Sequence, residues 1–196
     1  MLTGAILAGG GSTRFGGRPK GLERVGGRRI IDRVGAALRV VAPRLLIVSR
    51  DPAAAAWIAG ARAVSDCYRE RASIIGIHAA LTHAGTDVIV VGWDMPFVSD
   101  ALLASLAAHR TADAWAVVPE GPHGPEPCCA LYSSSALPRI AQCIDEGRLS
   151  LSALLEGLPG VVRVPIEEIR RLGDPVELFM NVNTPADLAR AESLTG

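Results

Sequence analysis

Short runs of apolar, mostly β-branched residues alternate with helix-like segments along almost the whole chain of 196 residues, and this alternation restricts the fold more than any other feature. The candidate strands are residues 3–7, 45–49, 61–64, 88–91, 114–118, 130–132 and 161–164. Strands that are apolar on both faces are typical of a mostly parallel sheet covered by helices on both sides. We therefore predict an α/β fold with a mostly parallel sheet, in one domain over residues 1–196.

The segments between these strands show the spacing of helices. Three- and four-residue steps, as one buried helix face requires, separate Ile30, Ile31, Val34, Leu38 and Val41. Ser99 and Thr184 are placed to cap two further helices, the second followed by a proline in its first turn. Residues 119–127 (PEGPHGPEP) are predicted to form a long loop, because four prolines and two glycines disfavour both helix and strand.

The composition excludes several classes of partner. The 20 basic and 20 acidic residues cancel, so no charge excess favours nucleic acid or an anionic membrane. The apolar runs are too short to span a bilayer, and the N-terminal MLTGAILAGG lacks the pattern of a signal peptide. We expect a cytoplasmic protein whose cysteines are reduced and mostly buried, at positions Cys67, Cys128, Cys129 and Cys143.

A glycine-rich loop follows the first predicted strand directly. Residues 7–20 read LAGGGSTRFGGRPK. Glycines let backbone N–H groups approach an anion closely, and Arg14 and Lys20 add positive charge. The spacing matches neither the P-loop nor the dinucleotide-binding fingerprint. We predict that this loop binds a triphosphate, with contacts from Leu7, Ala8, Gly9, Gly10, Gly11, Arg14 and Lys20.

A single carboxylate, Asp94, follows the apolar strand at residues 88–91. The carboxyl ends of parallel strands meet at one edge of the sheet, where ligands bind. One carboxylate combined with phosphate oxygens and water is a common way to hold Mg²⁺. We therefore predict that Asp94 binds magnesium opposite the glycine-rich loop. Near the C-terminus, Asn181 and Asn183 lie two apart on an extended segment and should point to the same side.

These motifs together resemble the molybdenum cofactor guanylyltransferases (the MobA-like family). The resemblance rests on the glycine-rich loop through Lys20, on the sequence DMPF from Asp94, on PCCALY at 127–132, and on FMNVNTPADL at 179–188. It covers nearly the full chain and implies a Rossmann-like nucleotidyltransferase fold.

The same resemblance implies particular roles for residues of the site. Asp66 and Gly76 fall where the family contacts the nucleotide. Asn183 is a second candidate metal ligand by analogy with sugar nucleotidyltransferases, and Asn181 faces the acceptor. The resemblance further implies Mg²⁺ as cofactor, GTP and molybdopterin as substrates, and transient contacts with proteins that carry or insert the molybdenum cofactor.

The proposed reaction is attack by an acceptor phosphate on the α-phosphorus of the triphosphate, with release of pyrophosphate. This chemistry depends on positioning and charge neutralisation, so it requires no nucleophilic side chain. Arg14 would neutralise the departing pyrophosphate, Lys20 the α-phosphate, and Asp94 would hold the metal. Neither Cys128 nor Cys129 has a neighbouring base in sequence, which argues against a catalytic thiol.

Two departures from the family pattern leave the nucleotide open. The stretch after Asp66 reads ASIIG at 72–76 where the family often has G-P-L-x-G, and residues 48–50 offer no counterpart of the family's asparagine after the second strand. A cytidylyltransferase acting on the same cofactor with CTP therefore remains an alternative, as does another small phosphorylated acceptor. A non-catalytic nucleotide-binding module on the same fold is a further alternative.

Overall fold

Strands and helices alternate as predicted in residues 1–9, 19–66 and 68–195, which the computed structural model describes. The strands are β1 Leu2–Leu7, β2 Arg24–Val25, β3 Arg28–Arg29, β4 Arg44–Val48, β5 Arg62–Val64, β6 Asp87–Gly92, β7 Ala116–Gly121, β8 Gly124–Pro125, β9 Cys129–Tyr132 and β10 Val161–Val164. The helices are α1 Ile30–Val41, α2 Ser73–Ala84, α3 Asp100–Ala108, α4 Leu137–Asp145, α5 Leu151–Gly157, α6 Ile166–Ile169, α7 Pro175–Leu178 and α8 Pro185–Ser193. Short 3₁₀ helices occupy Lys20–Leu22, Pro52–Ala56 and Ser134–Ala136.

The main sheet has the strand order β10-β7-β9-β6-β1-β4-β5. β6, β1, β4 and β5 are parallel to their neighbours within that group, and β10 is parallel to β7. Among the described strands in this order, β9 is the one that breaks the parallel arrangement, because it runs antiparallel to both β6 and β7. The prediction of a mostly parallel sheet is confirmed.

Two apolar cores lie on opposite faces of this sheet. Successive strand residues point to opposite sides, so Ile6 and Ile47 belong to one core while Leu7 and Val48 belong to the other. Helices α1 and α3 cover the first face, and α2, α4 and α5 cover the second. The prediction of helices on both faces is therefore also confirmed.

The predicted helix caps are present. The Ser99 hydroxyl accepts a hydrogen bond from the backbone N–H of Leu102 and begins α3. Thr184 and Asp187 form a capping box at the start of α8, in which each side chain accepts from the other residue's backbone N–H. Satisfying these otherwise free N–H groups fixes where each helix begins.

The predicted loop at 119–127 is wrong in part. β7 continues to Gly121, and a tight turn returns the chain as the short antiparallel strand β8. Proline lacks an N–H but keeps a carbonyl that can accept, and Pro119 O accepts from the backbone N–H of Glu126 at 3.0 Å. Pro119 and Pro125 therefore occupy strand positions, while Pro122 lies in the turn and Pro127 lies beyond β8. The strand predicted at 161–164 coincides with β10, and each of the other predicted strands differs from the observed one by one to three residues at one or both ends.

Candidate active site

A cavity of about 590 Å³ opens at the carboxyl ends of β1, β4, β5 and β6. This is within the size range typical of small-molecule sites. Backbone hydrogen bonds continue past the strand ends and tie the rim together: Ala8 N donates to Val48 O at 3.0 Å and Trp93 N donates to Leu7 O at 3.2 Å. Predicted site residues that line the cavity are Leu7, Ala8, Gly9, Lys20, Asp66, Gly76, Asp94 and Asn181. Gly10, Gly11 and Arg14 lie outside the described residues.

Three side chains from distant parts of the sequence converge at one end of the cavity. Lys20 Nζ donates to Asp94 Oδ2 and to Asn183 Oδ1, each at 2.6 Å. The side chains of Lys20 and Asp94 are each 15% exposed, so their charges are partly shielded but open to a ligand. We call Lys20, Asp94 and Asn183 the charged cluster. The charged cluster brings one ammonium group and two oxygen atoms that could bind a metal to a single point.

The local sequence explains how Asp94 reaches this position. β6 ends at Gly92, and a Cβ there would lie 2.7 Å from Asp94 Oδ1. Glycine is therefore required for the carboxylate to fold back over the strand end. The backbone of the asparagine segment is fixed to the same turn, because Val182 N donates to Asp94 O at 2.8 Å. Val182 is buried while Asn181 and Asn183 are exposed on the opposite side, as the two-residue spacing predicted.

A second cluster lies just beyond the carboxyl ends of β4 and β5, where the sequence analysis identifies only Asp66. Arg50 Nε donates to Asp66 Oδ1 at 3.1 Å and to Oδ2 at 3.0 Å, and Nη2 adds a further contact to Oδ1. The same guanidinium donates to the carbonyls of Tyr68, Arg69 and Glu70, the last at 2.7 Å. We call Arg50 and its acceptors in residues 66–70 the arginine clip.

The arginine clip orders the chain that leads into α2. The side chain of Asp66 is 12% exposed and that of Arg50 is 31% exposed, and both line the cavity. Gly76, in the second turn of α2, lies against β1: a Cβ there would be 3.3 Å from Leu7 Cδ2. Asp66 and Gly76 thus both line the cavity without belonging to the charged cluster.

The cysteines of the described residues fit the expectation of reduced, mostly buried thiols. Cys128, Cys129 and Cys143 are free, with Cys128 half-buried at the cavity wall and the other two buried. Burial raises the pKa of the Cys128 thiol, which disfavours the thiolate. Neighbouring Glu126 is a half-buried carboxyl whose pKa burial raises to about 7. A nucleophilic role for Cys128 receives no support from this environment.

No helix in the described part of the chain has both the length and the apolar character to cross a bilayer. The described residues also contain no group of three or more His, Cys, Asp or Glu side chains able to hold a metal. Any metal at the charged cluster would therefore need ligands beyond Asp94 and Asn183, such as phosphate oxygens and water.

Comparison with known proteins agrees with this geometry. The family model of the MobA-like NTP transferase domain matches residues 4–161. A molybdenum cofactor guanylyltransferase of Desulfosudis oleivorans is 35% identical over 195 residues, covering 98% of this chain and 95% of the relative. A probable molybdenum cofactor guanylyltransferase of Deinococcus radiodurans is 37% identical over 194 residues, covering 96% and 92%.

Among solved structures, the molybdopterin-guanine dinucleotide biosynthesis protein A of Archaeoglobus fulgidus superposes with a TM-score of 0.82. It is 32% identical in sequence, and the match covers 99% of this chain and 98% of that one. Agreement in sequence, fold and length along nearly the whole chain shows that this protein belongs to the MobA-like NTP transferase family.

Proposed function

We propose that the protein transfers GMP from GTP to the phosphate of molybdopterin and releases pyrophosphate. The observation that carries the proposal is the charged cluster: Lys20 Nζ lies 2.6 Å from both Asp94 Oδ2 and Asn183 Oδ1 at the edge of a cavity large enough for a nucleotide. The names of the relatives from Desulfosudis oleivorans and Archaeoglobus fulgidus support the choice of guanine nucleotide and molybdopterin.

The residues present are compatible with Mg²⁺. Asp94 and Asn183 direct two hard oxygen donors at one point, and a cation, the Lys20 ammonium, already lies between them. Mg²⁺ in nucleotide enzymes is commonly bound by one or two protein oxygens together with phosphates and water. Asp94 and Asn183 would hold the ion, which when bound supplies positive charge to the phosphate oxygens.

The side chains then act by position and charge. In the transfer, an acceptor phosphate oxygen forms a bond to the α-phosphorus while the bond from that phosphorus to the bridging oxygen breaks, and pyrophosphate departs with the electron pair. Lys20 stabilises negative charge on the α-phosphate, and Arg14 of the glycine-rich loop neutralises the pyrophosphate. The acceptor phosphate is already anionic near neutral pH, so none of the side chains must act as a general base.

The nucleoside would lie along the wall that carries Asp66 and Gly76. Both residues line the cavity, and the arginine clip holds Asp66 in a fixed orientation. The clip occupies the region in which this chain departs from the family pattern. A cytidylyltransferase with CTP as donor is therefore the second candidate.

Pyrophosphate release distinguishes these functions. Purified protein is incubated with molybdopterin, Mg²⁺ and each of the four ribonucleoside triphosphates in turn, with Asp94→Ala as the matched inactive control. We expect acceptor-dependent release with GTP. Preference for CTP would replace the donor in the proposal, and absence of release with all four triphosphates would overturn it.

A further inference from the structure

Two tryptophans form a stacked pair in the wall of the cavity. Trp57 follows the 3₁₀ helix Pro52–Ala56, and Trp93 lies between the end of β6 and Asp94. Their ring centroids are 5.4 Å apart with an interplanar angle of 23°, and the residues are 6% and 3% exposed. Offset stacking of this kind adds to the stability gained from burial alone.

Trp93 also packs against the backbone next to Lys20. A Cβ on Gly21 would lie 2.6, 2.8 and 3.0 Å from three atoms of the indole ring, so no side chain fits at this position. Trp93, which precedes Asp94, therefore contacts Gly21, which follows Lys20. This contact sets the separation between the two turns that carry Lys20 and Asp94.

The other side of the stack is anchored to the start of α1. The carbonyl of Trp57 accepts a hydrogen bond from Arg29 Nη2 at 2.8 Å. Arg29 in turn makes two hydrogen bonds of 2.7 Å with the carboxylate of Asp32 in the first turn of α1. Trp57 is thus backed by a helix of the main fold, and Trp93 is held between that support and Gly21.

We propose that Trp93, supported by Trp57, is a positioning residue that keeps Lys20 Nζ in register with Asp94 and Asn183. The inference rests on the proposed function, in which Lys20 acts on the α-phosphate. Displacement of a catalytic group by about 1 Å can reduce turnover by about 100-fold. A rigid aromatic contact beside both Lys20 and Asp94 limits such displacement more tightly than a flexible side chain would.

The decisive test is a double-mutant cycle on kcat for pyrophosphate release. Gly21→Ala places a methyl group 2.6 Å from the Trp93 ring, which must then shift, and should lower kcat by about 10- to 100-fold, with a smaller change in the KM for triphosphate. Trp93→Leu removes the support and should lower kcat by about 10-fold. Because Leu also removes the clash, the double variant should be no slower than Trp93→Leu alone. Multiplicative loss in the double variant would overturn the proposal.

Conservative and remote variants separate positioning from folding. Trp93→Phe keeps an aromatic ring against Gly21 and should retain more activity than Trp93→Leu at equal thermal stability. The matched control is Trp115→Phe, because Trp115 is the third tryptophan of the chain and packs on the other core, away from the cavity. It should keep the wild-type rate. Equal rates for the Phe and Leu variants at position 93 would contradict the proposal.

Fluorescence supplies a readout that does not depend on turnover. In Trp115→Phe the two remaining tryptophans both line the cavity, so GTP with Mg²⁺ should change their emission, and Gly21→Ala should alter the emission spectrum of the protein without GTP.

If the variants at positions 21 and 93 run at the wild-type rate while Lys20→Ala is slow, the positioning role is wrong and the proposed function stands. If wild-type protein releases no pyrophosphate, the proposed function fails first.

Discussion

The charged cluster and the arginine clip lie at the same cavity but are built in different ways. The charged cluster joins three side chains from sequence positions as far apart as 20 and 183. The arginine clip is local, because one guanidinium donates hydrogen bonds to the Asp66 carboxylate and to nearby backbone carbonyls of residues 68–70. The first arrangement concentrates charge where phosphates would react, whereas the second fixes the shape of a wall. Changes in the cluster should therefore affect mainly kcat, and changes in the clip should affect mainly the KM for triphosphate.

The largest expected effect comes from Asp94. Asp94→Ala removes the carboxylate that would bind the metal, and we expect it to abolish pyrophosphate release. Asp94→Asn keeps the shape of the side chain but removes its negative charge, so it should also lose most activity. Both variants should fold normally, because the Asp94 side chain lines the cavity and belongs to neither apolar core. Substantial turnover in either folded variant would contradict the role given to Asp94.

Lys20→Ala is expected to have the next largest effect. Removal of one preorganised charge typically lowers turnover by roughly 100-fold or more. The change should fall on kcat, measured at saturating GTP and molybdopterin. Arg163→Ala is a suitable control, because Arg163 pairs with Glu120 outside the cavity. A wild-type rate for folded Lys20→Ala would show that the cluster does not act on the phosphates.

Arg50→Ala should separate the two ends of the cavity. Loss of the clip removes the hydrogen bonds that hold the Asp66 carboxylate and the backbone carbonyls of residues 68–70. We expect the KM for triphosphate to rise by about 10-fold while kcat changes little, because binding would then have to order this part of the cavity wall. Arg50→Lys keeps the charge but cannot reproduce the fork, so it should rescue little of the loss. A fall in kcat with unchanged KM would place the clip with the reacting phosphates instead.

Gly76→Ala should give the smallest effect. The new methyl group would lie 3.3 Å from the end of the flexible Leu7 side chain, which can shift by a few tenths of an ångström. Alanine also has a higher helix propensity than glycine, which favours helix α2. We therefore expect a change of less than about threefold in KM with unchanged or higher thermal stability. A loss as large as that of Arg50→Ala would show that the backbone of Gly76 contacts the nucleoside closely.

The fold and the meeting of Lys20 and Asp94 at one cavity could be predicted because they depend on residue type and strand position, whereas Asn183 was indicated only by the family resemblance. Apolar runs marked the strands, and the rule that parallel strands end at one edge explains why Asp94 lines the same cavity as Gly9 and Lys20, at the two described ends of the glycine-rich loop. Lys20 and Asp94 are 74 residues apart, yet their side chains are in contact. Asn181 and Asn183 share a side because extended residues alternate.

The arginine clip and the tryptophan stack could not be predicted in the same way. Arg50 binds mostly backbone carbonyls, which every residue carries, so no side-chain pattern at 68–70 marks the acceptors. The space beside Gly21 is filled by Trp93, and only tertiary packing shows that this glycine is required for close approach. The hairpin at 119–127 was missed because proline carbonyls can still serve a ladder.

Calorimetric titration of the folded protein with GTP in the presence of Mg²⁺ tests the central claim most directly. The account predicts saturable binding of one GTP per chain, weakened in Arg50→Ala, little changed in Lys20→Ala and unchanged in Arg163→Ala. Absence of binding heat with every ribonucleoside triphosphate, at several temperatures and with the protein shown to be native by circular dichroism, would contradict it.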